Sequence, residues 1–381
     1  MKTKVLKGGE QRRDEGRDVT RPAVDIVATV PPPINGNTLI TQRVIEWLRD
    51  HCDAHVFAIS STDSLAGLAA KGIRAWKNLA ACLWLLTKSQ RANRNLYSVA
   101  NAGVGMFYTM SLLGLARLRG YRCILQHHSY SYITKFDWRM KFIDWVIGED
   151  GCHVVSCADM GVKFQRTYNS RRKWFTVPNT FMMPAVEVSP GPYLRDANGV
   201  MTIGHLSNLC FEKGIDTVID VFSELWRRDL PVRLVLAGPP VSKDVAALID
   251  RARDEFGDAL VYLGPVRDDD KWAFFNEIDV FLFPTRYKIE AQPVVVFEAL
   301  SFGRPVIAYG RGCIPGMIET EGGCVIDVED SFVAQATSII EKWIHDPAEF
   351  RDQVHRVSSR ANTLRASAEP SLRRLARALK Q

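Results

Sequence analysis

The sequence predicts an α/β chain made of two doubly wound halves. Three observations carry that reading. Short β-branched runs alternate with amphipathic helical stretches from residue 24 to about residue 330. The alternation stops in a proline-rich stretch at 184–199 and restarts at 200. The length, 381 residues with 46% hydrophobic and 24% charged side chains, supplies apolar material for two cores. The same composition excludes a mostly disordered chain, a collagen-like repeat and a multispanning membrane protein. The expected organisation is a flexible polar tail (1–20), an N-terminal domain (21–183), a linker (184–199), a C-terminal domain (200–357) and a basic C-terminal helix (358–381) packing back on the N-terminal domain.

The first strand is expected at 24–30, VDIVATV, an apolar run suited to a sheet covered on both faces. Three prolines stop it, Asn35-Gly36 permits a tight loop, and a helix should follow from about 38 to 48. Further strands are expected at 55–59, 96–100, 123–126, 153–156 and 175–177, separated by helical segments. The second half repeats the plan, with strands at 200–205, 232–237, 260–263, 280–283, 306–308 and 324–328. Residues 95–116 carry no formal charge and are long enough to span a bilayer. Their asparagines, serines and three glycines favour a strand, a turn at Gly103–Gly105 and a helix instead.

Charge is uneven: residues 1–200 sum to +11 and residues 201–381 to −5. Lys, Arg and aromatic residues crowd 71–94, which contains no acidic residue. Such a segment suits an anionic membrane surface, with Trp76 and Trp84 at the interface, or else an ordinary surface helix. Eight cysteines are scattered without Cys-x-x-Cys or zinc-finger spacing. Their apolar surroundings point to buried thiols in a reducing, cytoplasmic compartment.

Candidate chemistry concentrates near residue 290. Glu290 and Glu298 lie eight apart, with Pro293 suited to the first turn of a helix that carries Glu298. The N-terminus of that helix, at Ala291, Gln292, Pro293 and Val294, offers backbone N–H groups and a positive dipole end to a diphosphate. A carboxylate at 298 can accept two hydrogen bonds from a vicinal diol such as ribose. Lys213 follows a strand and precedes a glycine, well placed to meet phosphates as a point charge. Val266 lies just past a strand-end glycine, where backbone can approach a flat base closely. Of His127 and His128, which follow an apolar strand, His128 is the functional candidate and His127 the structural one. Asp268–Asp270 read as helix-capping aspartates, so no metal is expected. The Gly103-x-Gly105 pair is an incomplete dinucleotide fingerprint.

These residues resemble the retaining GT-B glycosyltransferases of the family-4 type. The resemblance rests on Lys213-Gly214, Gly238, Gly264-x-Val266, the strand and turn at 279–285, the Glu290-x7-Glu298 segment, Ile314-Pro315-Gly316 and Gly322-Gly323. The Pro31–Gly36 loop, Gln126-His127-His128 and Val177-Pro178-Asn179 extend it into the first half. It implies two Rossmann-like domains facing across a cleft, and sugar transfer from a nucleoside-diphosphate sugar to a glycan or polyprenyl- or lipid-linked acceptor, in polysaccharide biosynthesis. By the resemblance, Lys213 neutralises the diphosphate, Glu298 holds the ribose, and Glu290 and His128 contact the donor sugar. Asn35 and Gly36 approach the donor, amides at 291–294 hold the phosphates, and loops near Val266 and Ser207 face the base. Where many members carry an arginine six residues before the lysine, this chain has Ser207; Arg286 and Arg311 are the candidates to replace it. The resemblance implies no required cofactor, no nucleic-acid partner, and a cytoplasmic site peripheral to the inner membrane. A sugar-nucleotide epimerase or hydrolase of the same fold, or an inactive glycosyltransferase-like partner, remains the alternative.

Overall fold

The computed structural model describes residues 21–32, 36–59, 68–88, 94–183 and 199–380. The expected tail at 1–20, Asn35 and most of the linker lie outside these residues. In the first half, β1 (Ala23–Thr29), α1 (Gly36–His51), β2 (Asp53–Ile59), α2 (Leu68–Thr87), β3 (Asn95–Val99), α3 (Met106–Leu118) and β4 (Arg122–Gln126) follow in order. Then come α4 (Trp138–Ile147), β5 (Cys152–Val155), α5 (Ala158–Tyr168) and β6 (Lys173–Thr176). The second half begins with β7 (Met201–Leu206), α6 (Ile215–Arg227), β8 (Val232–Ala237), α7 (Lys243–Phe256), β9 (Leu260–Tyr262), α8 (Asp268–Glu277) and β10 (Val280–Phe283). It continues through α9 (Val294–Ser301), β11 (Val306–Tyr309), α10 (Ile314–Ile318), β12 (Gly323–Ile326), α11 (Phe332–His345), α12 (Pro347–Ala366) and α13 (Ala368–Ala378).

All strand pairs are parallel, in two six-stranded sheets ordered β2-β1-β3-β4-β5-β6 and β12-β11-β10-β7-β8-β9. Both orders reverse direction at a switch point, where the loops leaving neighbouring strands part and open a crevice at the strands' C-terminal ends. The β-branched and aromatic runs explain why these strands are central: Val280, Phe281, Leu282 and Phe283 of β10 are all buried, as two-sided coverage by helices requires.

The uncharged stretch at 95–116 folds as β3, a one-turn 3-10 segment at Gly103–Gly105, and α3. No helix among the described residues is long and apolar enough to cross a membrane. The chain's last helix returns to the first domain. Leu372, Leu375 and Leu379 bury themselves with Val24, Ile26, Val44 and Leu48, and the Asn95 amide donates to the Leu379 carbonyl at 2.8 Å. α12 runs unbroken through residue 357 and contacts α9 on its way there.

Two local expectations need correction. The α8 N-cap is Arg267, and no side chain caps that helix. Asp268, at a φ of 46°, Asp269 and Asp270 instead fill the first turn, where they complement the dipole without accepting a capping bond. The cysteines are not all thiols: Cys157 and Cys313 form a disulfide, while six others are free. The pair gave no signal because its members are 156 residues apart in sequence and meet only across the fold, with Cα atoms 6.0 Å apart.

Candidate functional site

The candidate site lies where the C-terminal ends of the two sheets face one another. On the second domain, β10 ends in Pro284-Thr285, and the chain loops through Glu290 to the foot of α9. Pro293 is the N-cap of α9, in extended backbone, one position before the expected first turn. Proline at that place has no N–H to lose and pre-sets the chain for the helix after it. The loop is held from behind by Gly312. At a φ of 54°, its Cα packs so closely that an added Cβ would lie 2.3 Å from the Glu290 carbonyl. The Cys313 N–H then donates to the Ala291 carbonyl at 2.8 Å.

Lys213 reaches this loop from the short 3-10 turn Phe211–Lys213 that follows β7. Gly214 beside it takes a φ of 83°, and a Cβ there would strike the Pro284 carbonyl at 2.4 Å, so only glycine lets the lysine turn meet the β10 turn. The Lys213 ammonium pairs with the Glu290 carboxylate, which the Thr285 hydroxyl also reaches at 3.3 Å. The ammonium further sits over the Tyr287 ring, 5.1 Å from its centroid. Two of the expected residues are therefore in contact.

Glu298 stands on the second turn of α9 and is buried. Burial pushes its carboxyl above the ordinary range, and the Lys271 ammonium of α8, which donates to it, partly restores the charge. Lys271 was not foreseen, since nothing in its local sequence marks it as facing α9. Ser207 donates to or accepts from the His205 ring at 3.0 Å, and His205 is buried with its pKa lowered to about 4 by desolvation. Ser207 also lies at the tightest approach in the domain: a Cβ on Gly238, at a φ of 117°, would stand 1.8 Å from the Ser207 carbonyl. Val266 is packed at the edge of the α8–α9 core.

Of the two arginines considered in place of Ser207, Arg286 is engaged elsewhere, donating to Asp216 at 2.6 Å and to the Phe211 carbonyl. Arg311 sits on the loop that carries Gly312 against Glu290, and its Nε is buried without a hydrogen-bond partner. Gln292 faces the other domain: its side-chain oxygen accepts from the Asn179 N–H at 2.6 Å and its carbonyl from the Asn179 amide at 3.0 Å. Its backbone, not its side chain, is what remains for a ligand.

On the first domain, His127 and His128 divide as their alternation implies. His127 belongs to a buried relay, bonded to Tyr132 at 3.1 Å and to His153 at 2.8 Å, with His153 in turn on Asp144 at 3.1 Å. Burial opposes ionisation of Asp144, but hydrogen bonds from His153 and Ser170 hold its carboxyl below the usual range. His128 is buried outside that relay, its Nε2 has no partner, and desolvation lowers its pKa to about 4, so it is neutral at pH 7. The segment after it meets the second domain, the Tyr130 N–H donating to the Ile289 carbonyl at 3.3 Å. The Tyr130 hydroxyl lies 3.6 Å from Cys157 Sγ and 3.8 Å from Cys313 Sγ, beside the disulfide that joins the two domains. Gly36, where the first loop enters α1, has open space around its Cα. Among the described residues, no group of three His, Cys, Asp or Glu is placed to hold a metal ion.

Comparison with known proteins bears on this geometry. Residues 197–346, which carry Lys213, Glu290 and Glu298, match the family described as Glycosyl transferases group 1. That match is confined to the C-terminal domain. The whole described chain has the GT-B fold, two facing parallel α/β domains. HepE from Anabaena, solved with UDP-glucose, superposes with a TM-score of 0.63 at 15% identity, covering 92% of this chain and 99% of its own. Alpha-monoglucosyldiacylglycerol synthase of Streptococcus pneumoniae is 28% identical over 123 residues, 32% of this chain and 27% of that protein. O-antigen chain mannosyltransferase C of Escherichia coli is 29% identical over 136 residues, 35% of this chain and 34% of that protein. The alignments thus span about a third or less of these curated relatives, whereas the likeness to solved structures spans both domains.

Proposed function

We propose that the chain is a retaining glycosyltransferase that moves a hexosyl group from a nucleoside-diphosphate sugar to a glycan or lipid-linked acceptor. The observation that carries this reading is the Lys213–Glu290 contact at the foot of α9, inside a group 1 domain, with Glu298 one and a half turns behind it. A diphosphate laid on the α9 N-terminus would meet the first-turn N–H groups and the Lys213 ammonium. Both stabilise charge that develops on the leaving phosphate as the sugar C1–O bond breaks. Glu290, released from Lys213, would turn to the donor sugar. Glu298, in contact with Lys271, would accept from the ribose hydroxyls. Arg311, with an unpartnered buried Nε, is the arginine best placed to add the second cation that Ser207 cannot. His128 Nε2, an orphaned buried acceptor or donor on the first domain, fits a hydroxyl of the same sugar.

The relatives' names point the same way: one is a monoglucosyldiacylglycerol synthase, another an O-antigen chain mannosyltransferase, and HepE was solved with UDP-glucose. The role proposed from them is synthesis of a cell-surface glycan or glycolipid at the cytoplasmic face of the membrane.

Thermal shift against UDP, GDP, ADP and dTDP, with Glu298→Ala alongside, tests the donor site. A ligand at 100 times its dissociation constant stabilises by about 2.7 kcal/mol, and one nucleotide should do so only in the unsubstituted chain. No shift with any nucleotide would overturn the reading. An epimerase or hydrolase would consume the nucleotide sugar without acceptor, and the anomeric signal of the transfer product reads retention.

A further inference from the structure

The outer layer of the first domain carries a second apolar face. Helices α2, α3 and α4 lie side by side, α2 packing on α3 and α3 on α4. An ordinary surface helix buries one stripe and turns a polar face outward. α2 departs from this: Ala81 and Leu85 are buried, yet Trp76, Leu79, Leu83 and Leu86 are all exposed, Trp76 by 64%. These four are spaced three, four and three residues apart and form one continuous outward stripe. The neighbours continue it. Phe107 at the start of α3 meets Trp138 at the start of α4 edge to face, at 6.1 Å, and Trp138 and Trp145 are 58% and 66% exposed. Exposed apolar surface of this extent marks an interaction site.

Charge identifies the partner. Between Asp63 and Asp137 the sequence has ten Lys and Arg and not one Asp or Glu. Arg74 on α2 and Lys135 just before α4 are exposed among the aromatic residues. A second copy of this chain docked through the same face would set Arg74 and Lys135 against cations of the same stretch, with no acid between 64 and 136 to offset them, which the symmetry of such a pair makes repulsive. Tryptophan at the edge of an apolar face, flanked by lysine and arginine, instead matches an acyl boundary beneath anionic headgroups.

We propose that the outward face of α2, α3 and α4 docks the protein on an anionic bilayer. Phe107 and Trp138 stand at helix N-termini that follow the C-terminal ends of β3 and β4, so the face reaches the rim of the cleft beside His128. A bilayer held there would present a lipid-anchored acceptor to the site. That consequence rests on the transferase reading; the docking itself does not.

Co-sedimentation with vesicles of phosphatidylcholine alone, and with about one third phosphatidylglycerol, tests it at low and high salt. The full chain is expected to sediment with the anionic vesicles, to release as salt rises, and to leave the zwitterionic ones unbound. Trp76→Ser, Trp138→Ser and Trp145→Ser combined should weaken that binding at least about tenfold, because each removes an anchor at the acyl boundary. The same variant should keep its circular dichroism and its thermal shift with nucleotide, which shows that fold and donor site survive. No binding to anionic vesicles, or binding unchanged in the triple variant, overturns the proposal. So does a dimer in solution that the triple variant dissociates, since the face would then be covered by a second copy. Vesicle binding without any nucleotide shift would sink the transferase reading and leave the docking face standing.

Discussion

The two domains share a sheet plan but place their polar groups differently. At the C-terminal domain's cleft edge the polar groups are charged and mobile in principle: Lys213 on Glu290, Lys271 on Glu298, with Arg311 beside them. At the N-terminal domain's edge they are neutral and deeply buried: His128 without a partner, His127 locked to Tyr132 and His153. The N-terminal domain's free charge is on its outer surface instead. Under the proposed function, one domain would handle a polyanion and the other would shape a water-poor wall opposite it. The Lys213–Glu290 ion pair would then be a stand-in that an incoming phosphate replaces, whereas the buried neutral His128 ring would need no such exchange.

The sharpest way to break this comparison is Lys213→Ala. Loss of a preorganised cation at a developing charge should lower turnover of the nucleotide sugar by about 10²–10³-fold, while His128→Asn should lower it less. Equal losses in steady-state assays would remove the division of labour. Next in size is Gly238→Ala. The added methyl would overlap the Ser207 carbonyl, and the strained φ adds to that, so urea unfolding should show a loss of roughly 3–4 kcal/mol.

The pH dependence of stability falls more heavily on the first domain, where burial also holds His127 and His153 below the ordinary value. His128 and His205, one in each domain, have pKa values lowered to about 4 by burial, from an ordinary value near 6.5. The unfolded chain then binds more protons than the folded one between those values. Stability is therefore full above pH 6.5 and falls as pH drops to 4, by about 3 kcal/mol per histidine at the low end. Urea midpoints at pH 7, 5.5 and 4.5 read the slope, which His128→Asn should reduce. A slope that His128→Asn leaves unchanged would mean that His128 is solvated. The smallest expected effect belongs to Arg311→Ala: about a tenfold higher KM for the donor, with turnover at saturation and stability nearly unchanged. An unchanged KM would hand the missing arginine's role to another group.

Much of the fold was legible because parallel strands buried on both faces must be short apolar runs, and the runs at β1, β8 and β10 are unambiguous. The spacing of Glu290 and Glu298 was legible because a loop and a helix start separate them locally. The rest depended on contacts between distant segments. Lys271 meets Glu298, Asn179 meets Gln292 and Cys157 meets Cys313 only after the sheets are assembled. Trp84 shows a finer limit. It was expected at an outer interface with Trp76, but it is half-buried against Phe57, 5.6 Å between rings. The two tryptophans are eight residues apart, about 80° around a helix, so only one of them falls on the outward stripe.

The Cys157–Cys313 bond gives the molecule a covalent topology that neither sheet has alone. It closes the backbone into a ring that runs from α5 through β6, the stretch between the domains, and most of the C-terminal sheet to the start of α10. A single backbone cut inside that ring opens a loop but releases nothing; the pieces part only when the sulfurs are reduced. The two halves of the cleft are thus tied by the stretch between the domains, by the return of α12 and α13 to the first domain, and by sulfur, and the last tie is the one a thiol can undo.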